Sequence, residues 1–285
     1  MDTVRVLVAF LAACAVLGGS SDAGAADLLE RVQAGEPVTI GYNNAAPWAY
    51  LSDAGEVTGY DPEVLRHLLG ELGGGQIEGQ LMEFGALING VRSKRIEVIA
   101  TGMYVRPSRC EQVAFTQPVM QAPIALIVRA GNPRGLTTYT DFLDEPDAVL
   151  AVVTGTVEAV DAKRFGLAKD QIARYSHFSD AVLAVQTGRA DAAINVWLTA
   201  RYAAKNWPEH YELEVTDPIH EVQGENVANH AAFAVHPDAQ DFVQAINRRI
   251  DDFLGSREHR RIMDRFGVRK ANLPTKSTDA LCSGG

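Results

Sequence analysis

The chain has 285 residues, of which 47% are apolar and 22% charged, and a formal net charge of −10. That balance belongs to a globular protein with room for two modest domains or one large one. The acidic excess argues against a nucleic-acid partner, which requires a basic face, and the sequence shows no low-complexity tract and no internal repeat.

The N-terminus reads as a secretory signal over residues 1–25. Arg5 supplies a positive charge, Val6 to Leu17 is apolar, and Ala23-Gly24-Ala25 fits a small-x-small cleavage site. The mature chain then starts near Ala26 and is periplasmic. An alternative is the box "LAAC", which would leave Cys14 lipidated and the protein anchored. The apolar run is too short to span a membrane. Without Cys14 the mature chain keeps Cys110 and Cys282. In an oxidising compartment an even pair reads as a disulfide, with two free thiols as the alternative.

Strand-like and helical stretches then alternate. "PVTIGYN" (37–43) reads as a strand. "DPEVLRHLLGEL" (61–72) reads as a helix with Asp61 as its cap, Pro62 in its first turn and Leu65, Leu68, Leu69 and Leu72 on one face. "QIEGQLM", "ALINGVRSKR" and "IEVIATG" continue as strand, helix and strand. A second set starts near residue 148: "AVLAVVTG", "TVEAVDAKRFG", "IARYS", "SDAVLAVQTG" and "ADAAINV". The chain closes with "HAAFAVHP" as a strand, a helix over 239–254 with Phe242, Ile246, Ile250 and Phe253 on one side, and a last helix "REHRRIMDRFG". The alternation predicts an α/β fold. The pattern alone leaves open whether the sets are consecutive domains or the end of the chain returns to complete the first.

Several segments carry a resemblance. "VTGYDPEVL", "EFGALI", "GMY" followed by "PSRC", "GTVE" and "QTGRADAAINV" are together similar to the solute-binding proteins of ABC importers, of the polar amino-acid-binding type. Within that group they resemble the ectoine- and hydroxyectoine-binding branch, over residues 36–285. The resemblance implies a two-lobed type II periplasmic-binding-protein clamp, with two mixed β-sheets flanked by helices and joined by two hinge strands. Lobe 1 would be 36–125 plus 232–285 and lobe 2 would be 126–231, with crossovers near "IALIVRAGN" and "NHAAFAVHP". The protein would be a monomer that captures a small zwitterion and delivers it to a membrane permease.

The resemblance also implies a site. Arg109 would hold the ligand carboxylate, for which a planar guanidinium fork is well matched. Trp48, Phe84 and Tyr104 would form an aromatic box for a delocalised cation. Thr156 and Val157 would offer backbone N–H groups at a helix start, and Glu158 would accept from ring nitrogens; the alternative for Glu158 is a glutamate favoured by the helix dipole. Tyr60 is a further candidate, with Asn43, Asn44 or Asp61, because Ala45 stands where the ectoine binders carry a glutamate. Arg106 replaces a common threonine and reads as solvated. Val196 stands where amino-acid binders hold the α-ammonium with an aspartate, which argues against an ordinary α-amino acid. A binding protein for a polar or cationic amino acid is the alternative ligand reading. A cyclohexadienyl dehydratase-like enzyme is the alternative class. The sequence offers no nucleophile motif, and His220, His230 and His236 lack partners at metal-ligand spacing. No catalytic residue, metal or cofactor is therefore expected.

Overall fold

The structure, a computed structural model, describes residues 27–206 and 213–284. The expected signal segment and Cys14 lie outside them. Helix α1 (Leu28–Gln33) leads into β1 (Val38–Tyr42), a short hairpin of β2 (Tyr50–Leu51) and β3 (Val57–Thr58), helix α2 (Tyr60–Gly70), β4 (Ile77–Leu81), α3 (Leu87–Arg92), β5 (Val98–Ile99), α4 (Pro107–Cys110) and β6 (Ala114–Phe115). The chain leaves through β7 (Met120–Ala122) and enters a second layer: β8 (Ile124–Arg129), α5 (Asp141–Asp144), β9 (Leu150–Val153), α6 (Val157–Arg164), β10 (Ile172–Tyr175), α7 (Phe178–Gln186), β11 (Ala192–Val196), α8 (Trp197–Asn206) and β12 (Leu213–Val215). A two-strand ribbon, β13 (Glu221–Val222) and β14 (Glu225–Asn226), precedes the return through β15 (Asn229–Ala231) to β16 (Ala234–Val235), α9 (Gln240–Phe253), α10 (Arg257–Phe266) and α11 (Thr278–Cys282).

The two sheets share one plan. The first runs β4-β1-β5-β16-β6 and the second β10-β9-β11-β8-β12. In each, three strands are parallel and the remaining two add antiparallel pairings. Helices cover both faces, so the inner parallel strands are apolar: every residue of β9 is buried, while the edge strands β4 and β10 keep polar and partly exposed positions. The end of the chain does return to the first layer, where α9 buries Phe242, Ile246, Ile250 and Phe253 against it.

Three expectations are corrected. "HAAFAVHP" is two strands in different sheets: β15 pairs with β7, and β16 joins the first sheet. "IALIVR" lies wholly inside the second sheet, so the crossover strands are β7 and β15, paired antiparallel with His230 opposite Gln121. Asp61 does not cap α2. It is fully buried within the first turn, and its Oδ2 accepts the Gly102 N–H at 2.6 Å. The helix starts at Tyr60, with Gly59 at the cap position, two residues earlier than a cap at Asp61 allows. Elsewhere, α8 occupies a stretch to which the sequence pattern assigned no element.

Cys110 and Cys282 are disulfide-bonded, with their Cα atoms 5.8 Å apart, and the bond joins α11 to α4.

Candidate ligand-binding site

A cavity of about 500 Å³ lies between the layers and takes walls from both. Seven of the eight ligand candidates line it: Trp48, Phe84, Tyr104 and Arg109 from the first layer, and Thr156, Val157 and Glu158 from the second. Tyr60 does not. Its ring is 0% exposed, and its hydroxyl lies 3.0 Å from the Val119 carbonyl and 2.8 Å from His259 Nε2. The Gly255 N–H donates to His259 Nδ1, so the neutral ring donates from Nε2 and Tyr60 passes its own proton to Val119. Burial pushes His259 down to about 4, in keeping with that tautomer.

Each cavity side chain is placed by local structure. Trp48 sits on a tight turn closed by the Ala45 N–H to the Ala49 carbonyl and the Trp48 N–H to the Ala45 carbonyl, both 2.9 Å. Its ring meets Tyr60 edge-on, with centroids 6.3 Å apart, and its Nε1 donates to Thr199 Oγ1 of α8 at 2.8 Å. Tyr104 is paired to β15 through a bridge with Ala231 and is buried, with no hydrogen bond to its hydroxyl among the described residues. Burial raises its pKa well above the usual phenol value.

Arg109 is 8% exposed. One terminal nitrogen donates to the Tyr104 carbonyl at 2.8 Å, and the other reaches across the cleft to the Gly155 carbonyl at 3.0 Å. The guanidinium stands 5.6 Å from the Phe84 ring centroid. Burial pulls it down to about 10, opposed by the nearby Glu158 charge, so it stays a cation at neutral pH. Two of its five N–H donors are spent on these carbonyls, which leaves part of the fork for an anion.

The second wall is built on the turn from β9 to α6. Thr156 caps α6: its Oγ1 accepts the Ala159 N–H and donates to the Val153 carbonyl. Its own N–H is also turned to Val153 O, at 3.3 Å, so it is not free for a ligand as the sequence reading had it. Glu158 is 4% exposed. Burial raises its pKa, while a hydrogen bond from its own backbone N–H and the Arg109 charge hold it down. It is the one carboxylate among the described residues that line the cavity.

Sequence reasoning missed part of the wall. Tyr50, Phe178, Asn195, Thr199 and Tyr202 also face the cavity. Thr199, Tyr202 and Ala203 repeat at i, i+3 and i+4 on α8, which is a signal that assigning a helix to "WLTARYAAKN" would have exposed. Tyr50 and Tyr202 approach from opposite layers with ring centroids 6.2 Å apart. Arg106, read as solvated, is hydrogen-bonded to Asn229 Oδ1 on β15.

Residues 38–269 match the model of the bacterial extracellular solute-binding proteins, family 3. The chain belongs to that family. A probable amino-acid ABC transporter periplasmic-binding protein, y4tE of Sinorhizobium fredii (strain NBRC 101917 / NGR234), is 30% identical over 97% of this chain and 93% of its own length. Among solved structures, EhuB in complex with hydroxyectoine superposes with a TM-score of 0.83 at 25% identity, over 90% of this chain and 98% of EhuB. The ancestral amino-acid-binding protein AncCDT-1, a precursor of cyclohexadienyl dehydratase, shares the fold at a TM-score of 0.71 and 23% identity, over 83% and 97% of the two chains. This family-3 chain thus has the type II periplasmic-binding-protein fold. A solute-binding protein of an ABC importer works with a small ligand and a membrane permease. No helix among the described residues is long and apolar enough to cross a membrane.

Proposed function

We propose that the protein is the periplasmic solute-capture subunit of an ABC importer, and that its ligand is a small zwitterion whose positive charge is spread over a ring or over methyl groups, with ectoine or hydroxyectoine first. The observation that carries this reading is the charge layout of the cavity. Arg109 offers a partly free guanidinium for a carboxylate. The only carboxylate on the described walls, Glu158, comes from the second layer and lies within reach of the Arg109 charge, and Val196 lines the cavity as an apolar residue. A compact α-ammonium would find aromatic faces and, among the described walls, no carboxylate other than Glu158, whose charge is already coupled to Arg109. A delocalised cation is well served by Trp48, Phe84 and Tyr104, at about 0.5–2 kcal/mol per good contact, and loses little hydration on burial. The similarity to EhuB supports the same choice.

A polar or cationic amino acid is the second reading, favoured by y4tE and by the presence of Glu158 as an acidic wall. Capture without chemistry is preferred to a dehydratase, because the matching family model and y4tE are those of extracellular solute-binding and transporter binding proteins.

A thermal-shift panel of ectoine, hydroxyectoine, glycine betaine, proline, histidine, arginine and glutamine tests the proposal. Binding to the native state adds RT ln(1 + [L]/Kd), about 2.7 kcal/mol at a hundredfold excess over Kd. Ectoine or glycine betaine is expected to give the largest shift. A shift by arginine or glutamine alone would replace the first reading with the second.

A further inference from the structure

Arg109 sits on a helix of four residues, Pro107–Cys110. A single turn has no stability of its own, so its position must come from elsewhere. Two attachments flank it. Ahead of it, Arg106 is hydrogen-bonded to Asn229 on the crossover strand β15. At its end, Cys110 is bonded to Cys282 of α11.

The segment that brings Cys282 there has a course of its own. After α10 the chain runs along the crossover strands. Asn272 Nδ2 donates to the Gln121 carbonyl at 3.1 Å, and Gln121 Nε2 returns a bond to the Ala271 carbonyl at 3.3 Å. Thr275 Oγ1 lies 3.1 Å from Gln121 Oε1, and the Thr275 N–H donates to His230 Nε2 at 3.2 Å. Residues Gln121 and His230 face each other across β7 and β15. Further on, Thr278 Oγ1 donates to the Thr116 carbonyl at 2.5 Å and its N–H to Gln117 Oε1 at 3.2 Å. Leu281 then enters the apolar cluster that holds Leu87, Val105 and Val113. His230 is buried and, with its pKa pushed down to about 4, neutral, so the contact with Thr275 is a hydrogen bond between uncharged groups.

We infer that residues 268–284, closed onto α4 by the Cys110–Cys282 bond, form a brace that fixes the pose of Arg109 relative to the two crossover strands. The inference rests on the reading of Arg109 as the carboxylate partner. The brace touches the hinge at Gln121 and His230 and the binding arginine through Cys110, so hinge geometry and ligand hold are tied together. A fork that makes directed bonds loses them on a displacement of about 1 Å. Cutting the brace therefore speeds ligand escape without dissolving either sheet.

A disulfide closing a long loop also stabilises a protein through its unfolded state, so a loss of melting temperature decides nothing. The readout must be local and native. In full-length Cys110→Ser/Cys282→Ser protein, native-state hydrogen exchange at residues 109–113, whose amides bond to the carbonyls of Arg106, Pro107 and Arg109, is expected to quicken about tenfold more than exchange in β9 and β11. The affinity for the best probe of the thermal-shift panel, ectoine first, is expected to fall about tenfold, with the change in the dissociation rate. Thr278→Val, which keeps the disulfide, is expected to show a smaller shift of the same kind and carries the test if the double variant does not fold. Equal acceleration in all strands, or unchanged affinity with a loosened α4, would overturn the inference. If the wild type binds none of the probes, the carboxylate reading fails while the exchange arm still decides whether the brace holds α4.

Discussion

Gly155 and Gly85 face each other across the cleft, and replacing them in turn tests whether the lobe contact belongs to the ligand-holding state. Gly155 has φ +83°, and a Cβ built on it would lie 2.6 Å from Gly85 Cα and 3.2 Å from Gly85 N, both backbone atoms. Carbon atoms in contact sit near 3.5–4.0 Å, so Gly155→Ala must push the layers apart by about 1 Å at this point. Two costs separate cleanly. The left-handed backbone costs about 1–2 kcal/mol in a non-glycine residue. It acts whether the clamp is open or closed, so it lowers the melting temperature and cancels from ligand affinity. The clash acts only when the layers meet. At about 1–3 kcal/mol for overpacking, it weakens binding roughly 5- to 150-fold, and it also stretches the Arg109 bond to the Gly155 carbonyl. Gly85→Ala is the control, because its Cβ would lie 3.4 Å from the Thr154 carbonyl oxygen, an ordinary contact, and its φ is not left-handed. It is expected to bind within about twofold of wild type. Titration calorimetry gives the affinities, and small-angle scattering gives the compaction on adding ligand. Wild-type affinity in Gly155→Ala would refute the reasoning, since the glycine contact would then be absent from the bound state.

The sheets and most helices were legible because their signals are local. "LAVV" and "AAINV" are apolar runs between turn residues, and both are strands buried on two faces. What was misread depends on contacts between distant residues. "HAAFAVHP" looks like one strand because nothing within it shows that its first half pairs with Met120–Ala122 and its second half with Val98–Ile99 and Ala114–Phe115. Asp61 has the composition and position of a cap. Its partner, the Gly102 N–H, is 41 residues away, so local reading cannot find it. The site divides in the same way. The resemblance pointed to Arg109, Trp48, Phe84 and Tyr104, which the fold gathers around one cavity. Tyr60 was drawn in by its place in "VTGYDPEVL", but its side chain points to His259, 199 residues on. The α8 wall was missed because "WLTARYAAKN" mixes polar and apolar residues, with only moderate apolar character on any face.

The remaining expectations concern the site, the disulfide and one buried acid. Arg109→Lys is expected to lose most binding by calorimetry while keeping its fold, because a point charge cannot reproduce a fork shared among two carbonyls and a ligand. Trp48→Ala should weaken ectoine binding by about 1–3 kcal/mol through lost cation attraction and apolar contact; a smaller effect would take the ring out of the ligand wall. A thiol assay on denatured, non-reduced protein lacking residues 1–25 should find no free thiol, and two per chain would remove the Cys110–Cys282 bond. Asp61 gives the last test, in the pH dependence of stability. Burial raises its carboxyl from 3.8 to about 7, against the single lowering influence of the Gly102 N–H, and its Oδ1 has no partner among the described residues. The folded pKa is above the unfolded one, so between about pH 4 and 7 the native state holds the extra proton. Stability from this group therefore falls as pH rises through that window, the reverse of a salt-bridged aspartate. At about 1.4 kcal/mol per tenfold change, the whole span is roughly 4 kcal/mol. Asp61→Asn keeps an oxygen for the Gly102 N–H and removes the titration. Its stability relative to wild type, measured by urea unfolding, should thus rise from about pH 4 to pH 7 and level off above the folded pKa. A difference that stays flat, or that favours wild type more as pH rises, would mean that Asp61 is ionised in the native protein throughout and that some group unseen in its surroundings carries the compensating charge.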